Sequence, residues 1–527
     1  MKKIPTIFAF CALASAGQLC AQSVSGTIYW AETVNGEHRI DDKTAYKYSS
    51  DGGQTYQYID ASQDVDWANS TVVYDSAWVA DGINAFSGPS ADFTIGKMVI
   101  APTWHDSAGA NKAALWMGGE GAGNPTFKVL GDIDVYSNVS GAVHAQNGLS
   151  VGGDINVFNT DAQTVGKQIE VSFGGGRSSD TRNGMSWIKV DGGLNITGDA
   201  RFDFSSKMAV GTQSDASLAN PAVEIKGAVE MQSYNGSAVP ALNFFFRDFP
   251  EVGKTRTNYV SFGGLNGVGE IQSNSAYADP DDADYKNKIS ITLTNADNMR
   301  ADFKGKIVNQ TYVGHFTDGN FALDMHMNGG GVQVFRAEDG SKWRGQLNVN
   351  NGTFYLANSN NSTDMQVDVA VAADAAFGAV GLDSDIGTAY VKNLGIADEG
   401  MIMVYADGNS NSSIHIYEAL TIGGTFDIFV DGAVSEGDAL WDLFTWEAAF
   451  DEANRQQLVA AFEGGNVDLY VNGQVAEIDG YSFDGNSMSI DVGHIVPEPA
   501  AVAALMGGVY ACLCRFPQAQ VAFEDDM

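Results

Sequence analysis

Val129-Leu-Gly-Asp-Ile-Asp-Val-Tyr136 returns downstream as Val151-Gly-Gly-Asp-Ile-Asn-Val-Phe158, with Gly153-Asp154 standing where the first copy has Gly131-Asp132. Each copy enters through a glycine turn and then alternates apolar with polar residues. Alternation sends Ile133 and Val135 to one face of a strand and Asp132 and Asp134 to the other. In the second copy Ile155 and Val157 point inward, while Asp154 and Asn156 point out. A single strand of this kind cannot bury its apolar face. Stacking equivalent strands from successive turns buries a continuous core, and a repeat of this period is the signature of a solenoid. The expected fold is therefore all-β: an elongated, right-handed parallel β-helix (β-solenoid) with capping strands and one or two short helices near the C-terminus.

Weaker echoes extend the pattern. Gly198-Asp-Ala-Arg-Phe-Asp-Phe204 follows the second copy after about two periods, and Gly227-Ala-Val-Glu-Met231 comes next at a drifting interval. A second phrase, Phe303-Lys-Gly-Lys-Ile307, returns as Trp343-Arg-Gly-Gln-Leu347. Glycine pairs and Asn-Gly steps punctuate the body as turn signals. The first clear helical run is Trp446 to Phe462, with acids early and Gly464-Gly465 as its stop. Strands return at 467–471, 481–483 and 488–490.

The composition narrows the function classes. Of 527 residues 61 are glycine and only 11 proline, so the chain is not a disordered Pro/Gly tract. The net charge of −36 repels nucleic acid and anionic headgroups. All four cysteines, Cys11, Cys20, Cys512 and Cys514, lie in the terminal segments, so no disulfide can staple the body. Met1-Lys-Lys-Ile-Pro5 and the apolar run to Ala16 have the form of a secretory signal peptide, with cleavage after Ala16 or after Ala21.

Candidate chemistry is sparse. Asp279-Pro-Asp-Asp-Ala-Asp284 is the densest carboxylate cluster, but it lacks the glycine and glutamate of an EF-hand loop; calcium is a weak candidate and no cofactor is expected. Phe173-Gly-Gly-Gly-Arg177 lacks the Gly-Lys-Ser/Thr of a phosphate loop. The seven histidines show no zinc spacing. Asp132 and Asp154, with Asp134 beside them, occupy equivalent positions on neighbouring coils, the arrangement a polysaccharide-cleaving β-helix would need. Trp78, Trp104, Trp116, Trp187 and Trp343 can stack on sugar rings where exposed, although core packing suits most of them better.

The phrases at Phe303–Ile307 and Trp343–Thr353 resemble the strand repeats of bacterial autotransporter passenger domains, which are right-handed β-helices displayed outside the cell. The resemblance covers two repeats well and others loosely. The run of alternating strands that forms an outer-membrane barrel in that family is not found in this sequence, so self-display through a barrel is not expected. Val496-Pro-Glu-Pro499, the apolar run Ala500–Cys514 and Arg515 resemble the PEP-CTERM sorting signal. That resemblance implies a sorting enzyme of the exosortase type acting on Pro497, Glu498, Pro499 and Arg515, transient anchoring in the inner membrane, and delivery to the cell surface or the exopolysaccharide. The apolar run is shorter than a full span, and one arginine stands where that family has a basic cluster.

The expected organisation is a signal peptide (1–21), an N-terminal cap with the first strands (22–102), solenoid repeats (103–432), a C-terminal cap (433–495), the sorting segment (496–515) and an acidic tail (516–527). The expected function is that of a secreted structural or adhesive surface protein without catalysis. A glycan-binding module is the alternative, and a β-helical polysaccharide lyase or hydrolase the third reading.

Overall fold

A computed structural model describes residues 23–31, 40–51, 53–75, 91–101, 115–117, 126–136, 143–145, 148–159, 169–173, 188–205, 223–234, 239–246, 256–275, 287–310, 321–360 and 365–496. Their strands join into one sheet, mostly by parallel pairing between successive coils. The fold is an all-β solenoid.

The two copies of the Gly-Asp phrase pair in register. Ile133 faces Ile155, Asp134 faces Asn156 and Val135 faces Val157. The next strand in this stack is Leu194–Gly198, then Val229–Gln232, then Leu265–Ser275. Ile133, Ile155, Leu194, Val229 and Leu265 form an inner column in which no member is more than 1% exposed. Burying such side chains stabilises each coil by roughly 1.5–3 kcal/mol per residue.

The coil corner before each of these strands is glycine. Gly131, Gly153, Gly192, Gly227 and Gly263 each donate their N–H to the corner glycine below, starting from the Gly96 carbonyl, at 2.7–3.1 Å. Close approach is the reason for glycine. A Cβ on Gly192 would lie 2.1 Å from Asp154 Oδ1 and 2.6 Å from the Gly153 carbonyl oxygen.

Two echoes in the sequence have different fates. Gly227–Met231 is a true member of the stack. Gly198–Phe204 belongs to another side of the coil, where Ala200–Ser205 pairs with Ile169–Phe173 and Ala241–Phe246. The phrases at Phe303 and Trp343 also fall on different stacks. Phe303 pairs with Gly267 and Phe335, whereas Trp343 pairs with Met365.

The cross-section changes along the chain. From Phe93 to Phe262 the described strands form three parallel stacks, one strand per coil in each. The long strand Leu265–Ser275 then pairs with Val229–Gln232 through its first residues and with Ala241–Phe246 through its last. Two stacks merge in that strand at Gly267 and Gly269, where a Cβ would strike Met231. Beyond it each coil has two strands, the last parallel pairs being Ser413–Ile422 with Ala439–Trp446 and Phe426–Gly432 with Val467–Val471. At this transition the amide of buried Gln333 acts as a surrogate strand. It accepts from Leu265 N–H at 3.1 Å and donates to the Leu265 carbonyl at 2.8 Å.

Antiparallel strands close both ends. Tyr46–Tyr48 covers Val24–Trp30. Gln474–Asp484 covers Val467–Val471, and Ser487–Ile495 covers Ala439–Trp446. The helix Asp451–Glu463 packs here, its start and most of its length within the run expected from the sequence. Buried Asn454 accepts from Leu420 N–H at 2.9 Å, and Trp446 Nε1 donates to Asp451 Oδ1 at 2.8 Å.

Candidate functional site

The carboxylates singled out in the repeat are held by the solenoid itself. Asp132 Oδ1 accepts from Asp154 N–H at 3.0 Å, and Asp154 Oδ1 accepts from Gly193 N–H at 2.7 Å. Lys97 Nζ sits 2.7 Å from Asp134 and 3.4 Å from Asp132. The hydrogen bond to Asp134 is the largest influence raising the Lys97 pKa. Each carboxylate therefore caps the next coil or neutralises a lysine.

The outward residues beside them form a ladder. Asn156 Nδ2 donates to Asp134 at 2.8 Å, Asn195 Nδ2 to Asn156 Oδ1 at 2.7 Å, and Asn266 Nδ2 to Glu230 at 2.6 Å. Asp302 N–H donates to Asn266 Oδ1 at 2.7 Å, and Arg336 grips Asp302 through Nε at 3.0 Å and Nη2 at 3.1 Å. Arg336 Nη1 also donates to the Ser384 carbonyl at 2.8 Å. That contact pins the segment 380–387 across the outer face of the sheet.

Beneath this segment lies a second apolar cluster, outside the main core: Val332, Val334, Tyr355, Ala357, Ala376, Val380 and Met403. It explains why both faces of Val332–Ala337 are buried. Further toward the C-terminus the same outer face is half-exposed at Met401, Tyr405, Phe429 and Tyr470. Phe429 and Tyr470 stack at 4.5 Å with 8° between their planes. Asp427 and Asp468 stand beside them, paired in register on neighbouring coils. Burial first, then the Asp468 and Glu399 carboxylates, push the Asp427 carboxyl up to about 6. This is the arrangement of carboxylates on adjacent coils that the repeat suggests for Asp132 and Asp154, realised at a different place. A carboxyl whose pKa is raised, with a second carboxylate on the neighbouring coil, is the kind of pair that general acid–base chemistry uses.

On the other stack His415 lies among Tyr390 and Tyr417, with ring centroids 5.4 and 5.0 Å away. Its Nδ1 is 2.8 Å from Thr445 Oγ1, and its Nε2 is 3.6 Å from Glu447. Burial lowers its pKa against the pull of Glu447.

Trp343 is fully buried, and its Nε1 donates to the Leu323 carbonyl at 2.9 Å, so it is a core residue. Trp78, Trp104, Trp187, the Asp279–Asp284 cluster and the glycines after Phe173 lie outside the described residues, as does the side chain of Trp116. So do Ala16, Ala21, Pro497, Glu498, Pro499 and Arg515. Among the described residues no group of three or more His, Cys, Asp or Glu side chains is arranged to hold a metal ion. Among them, too, no helix is long and apolar enough to cross a membrane.

The Asp427 and Asp468 positions carry a signal of their own. Phe426-Asp-Ile-Phe-Val-Asp-Gly432 and Val467-Asp-Leu-Tyr-Val-Asn-Gly473 are one phrase written twice. No protein-family model, curated protein or solved structure matches the chain.

Proposed function

We propose that the chain is an exported β-solenoid, sorted to the cell surface or extracellular matrix, where it serves as a structural or adhesive element. The observation that supports this most is the uninterrupted stack. Fourteen successive parallel pairings link fifteen strands from Val24–Trp30 to Val467–Val471, and antiparallel strands cover both ends. At about 4.8 Å per step this is a rod of roughly 65–70 Å. Its interior is held by backbone pairing and core burial instead of cysteines. The address rests on the signal-peptide form of residues 1–21 and the Pro497-Glu-Pro499 phrase, read by a sorting enzyme of the exosortase type. The expected companion outside the cell is extracellular polysaccharide.

Replacing Pro497, Glu498 and Pro499 by alanine in the full chain tests the address. In a host with the matching sorting enzyme, the variant should fold, escape processing and stay in the membrane fraction. Adding lysines after Arg515 should improve processing by fixing orientation. A triple-alanine chain that matures and reaches the surface like the parent would refute the proposal.

A second reading, cleavage of a polysaccharide, is favoured by one observation: the raised pKa of Asp427 beside Asp468 on a neighbouring coil. It requires release of reducing ends or unsaturated products from a polysaccharide, abolished in Asp427→Asn. Product release that survives this substitution would exclude the pair.

A further inference from the structure

Trp441 is 61% exposed, the highest value among the large hydrophobic residues of the described chain. The backbone around it is built for that exposure. In the ladder between Ala439–Trp446 and Ser487–Ile495, the register jumps from Leu440 opposite Ile490 to Phe444 opposite Met488. Three residues thus face one, a bulge. Leu440 and Leu443 turn inward and are buried, while Trp441 and Asp442 turn outward.

Asp442 adopts φ +49°, a conformation that costs a non-glycine residue about 1–2 kcal/mol. The surroundings hold it there. Asn411 grips the Trp441 backbone with both ends of its amide: Trp441 N–H donates to Oδ1 at 2.8 Å, and Nδ2 donates to the Trp441 carbonyl at 3.0 Å. Asp442 N–H donates to Ser489 Oγ at 2.9 Å. The loop that carries Asn411 is tied down in turn, because Asp407 Oδ1 accepts from Asn409 N–H at 3.0 Å and from Ser410 N–H at 2.8 Å. These hydrogen bonds hold the bulge in the conformation that leaves the Trp441 ring in solvent, and a side chain held out in this way is a candidate for binding.

We propose that Trp441 is the stacking platform of a binding site for a neutral hexose polysaccharide. A pyranose ring has an apolar C–H face that covers an indole, and hydroxyls around its edge that need polar partners. Here the exposed neighbours in the sequence and across the clamp are Asp442, Asp407, Asn409 and Ser410, with Asn411 half-buried. These exposed residues of the bulge and of the loop that clamps it are polar, which matches the hydroxyl-bearing edge of a sugar ring. The net charge of −36 and the two carboxylates disfavour an anionic chain. The bulge holds the side chain in place before the ligand arrives, which lowers the entropy lost on binding.

The proposal deepens the adhesive reading, but it is tested on the purified full chain, so its failure leaves the sorting result untouched. The probes are hydroxyethylcellulose and galactomannan in affinity electrophoresis and titration calorimetry, with alginate as the anionic control. The parent should bind at least one neutral probe and not alginate. Trp441→Ala should weaken binding about tenfold or more without moving the thermal midpoint, because the side chain is mostly in water. Trp441→Phe should fall between the two, since it keeps a smaller flat ring. Absence of binding by the parent, equal affinity of parent and Trp441→Ala, a Phe variant no better than Ala, or equal binding of alginate would each overturn the proposal. So would sedimentation showing a parent dimer that Trp441→Ala converts to monomer, because the ring would then be buried by a second copy.

Discussion

Gly192→Ala isolates the close approach of one coil to the next. The φ of Gly192 lies outside the left-handed region, so alanine should fit the backbone and, in open space, stabilise by about 0.4–1 kcal/mol. Space is what it lacks. The new methyl would sit 2.1 Å from Asp154 Oδ1, 2.6 Å from the Gly153 oxygen and 2.7 Å from the Gly153 carbon. Moving the carboxylate away breaks its 2.7 Å bond to Gly193 N–H, a charged-acceptor bond worth about 1.5–3 kcal/mol. Moving the backbone forces overpacking at about 1–3 kcal/mol. The net loss is about 2–5 kcal/mol. Gly395→Ala is the control, because the nearest atom to its added methyl is the Val369 oxygen at 3.7 Å. Urea titration followed by fluorescence reads both variants, and hydrogen exchange over residues 188–198 locates the damage. In a double-mutant cycle, Asp154→Ala removes the side-chain obstacle, so the pair should cost less than the two single variants together by about 1 kcal/mol or more. A Gly192→Ala midpoint indistinguishable from that of Gly395→Ala would refute the close-packed corner.

Gln333→Leu should destabilise by about 2–4 kcal/mol in the same titration, because it orphans the buried N–H and carbonyl of Leu265; an unchanged midpoint would remove the surrogate strand. Asp427 has a folded-state pKa of about 6 against an ordinary value of 3.8. Its protonation therefore contributes stability that is complete below pH 3.8 and lost as pH rises through about 6. Asp427→Asn should flatten stability across that window, and a carboxyl titration by NMR should place the Asp427 midpoint near 6; a midpoint at the ordinary value would contradict the packing described. Dithiothreitol should leave the urea midpoint of the body unchanged, since no cysteine lies between Ala21 and Cys512 and no cross-link there restrains the unfolded chain.

The sequence is most legible where the chain repeats without interruption. The adjacent copies at Val129 and Val151 set the register of Ile133 against Ile155, because no insertion separates them. The next steps in that stack, from Ile155 to Leu194 and from Leu194 to Val229, are much longer. The insertions they contain hide the period, so that Gly198–Phe204, on another side of the coil, reads as the next copy. The change from three strands to two was not legible, because it depends on one long strand pairing with two neighbours, which alternation cannot express. The Asp427 and Asp468 pair was legible in the phrase written twice at Phe426 and Val467. Trp441 leaves a fainter trace: in Leu440-Trp-Asp-Leu443 two outward residues stand side by side, where strict alternation allows one.

The short reach of each parallel pairing also bears on how the molecule is made. The partners nearest in sequence are pairs such as Val334 and Tyr355, and the most distant are pairs such as Tyr29 and Val73. Set against the length of the chain, this is a relative contact distance of roughly 0.04 to 0.08, at or below the range of small helical bundles, although the described residues are mostly strand. The entropy of closing each loop is met locally, one turn at a time. A chain that emerges from its N-terminus can therefore lay each new turn on the one already formed, and the part still to emerge is not needed to complete the part that has.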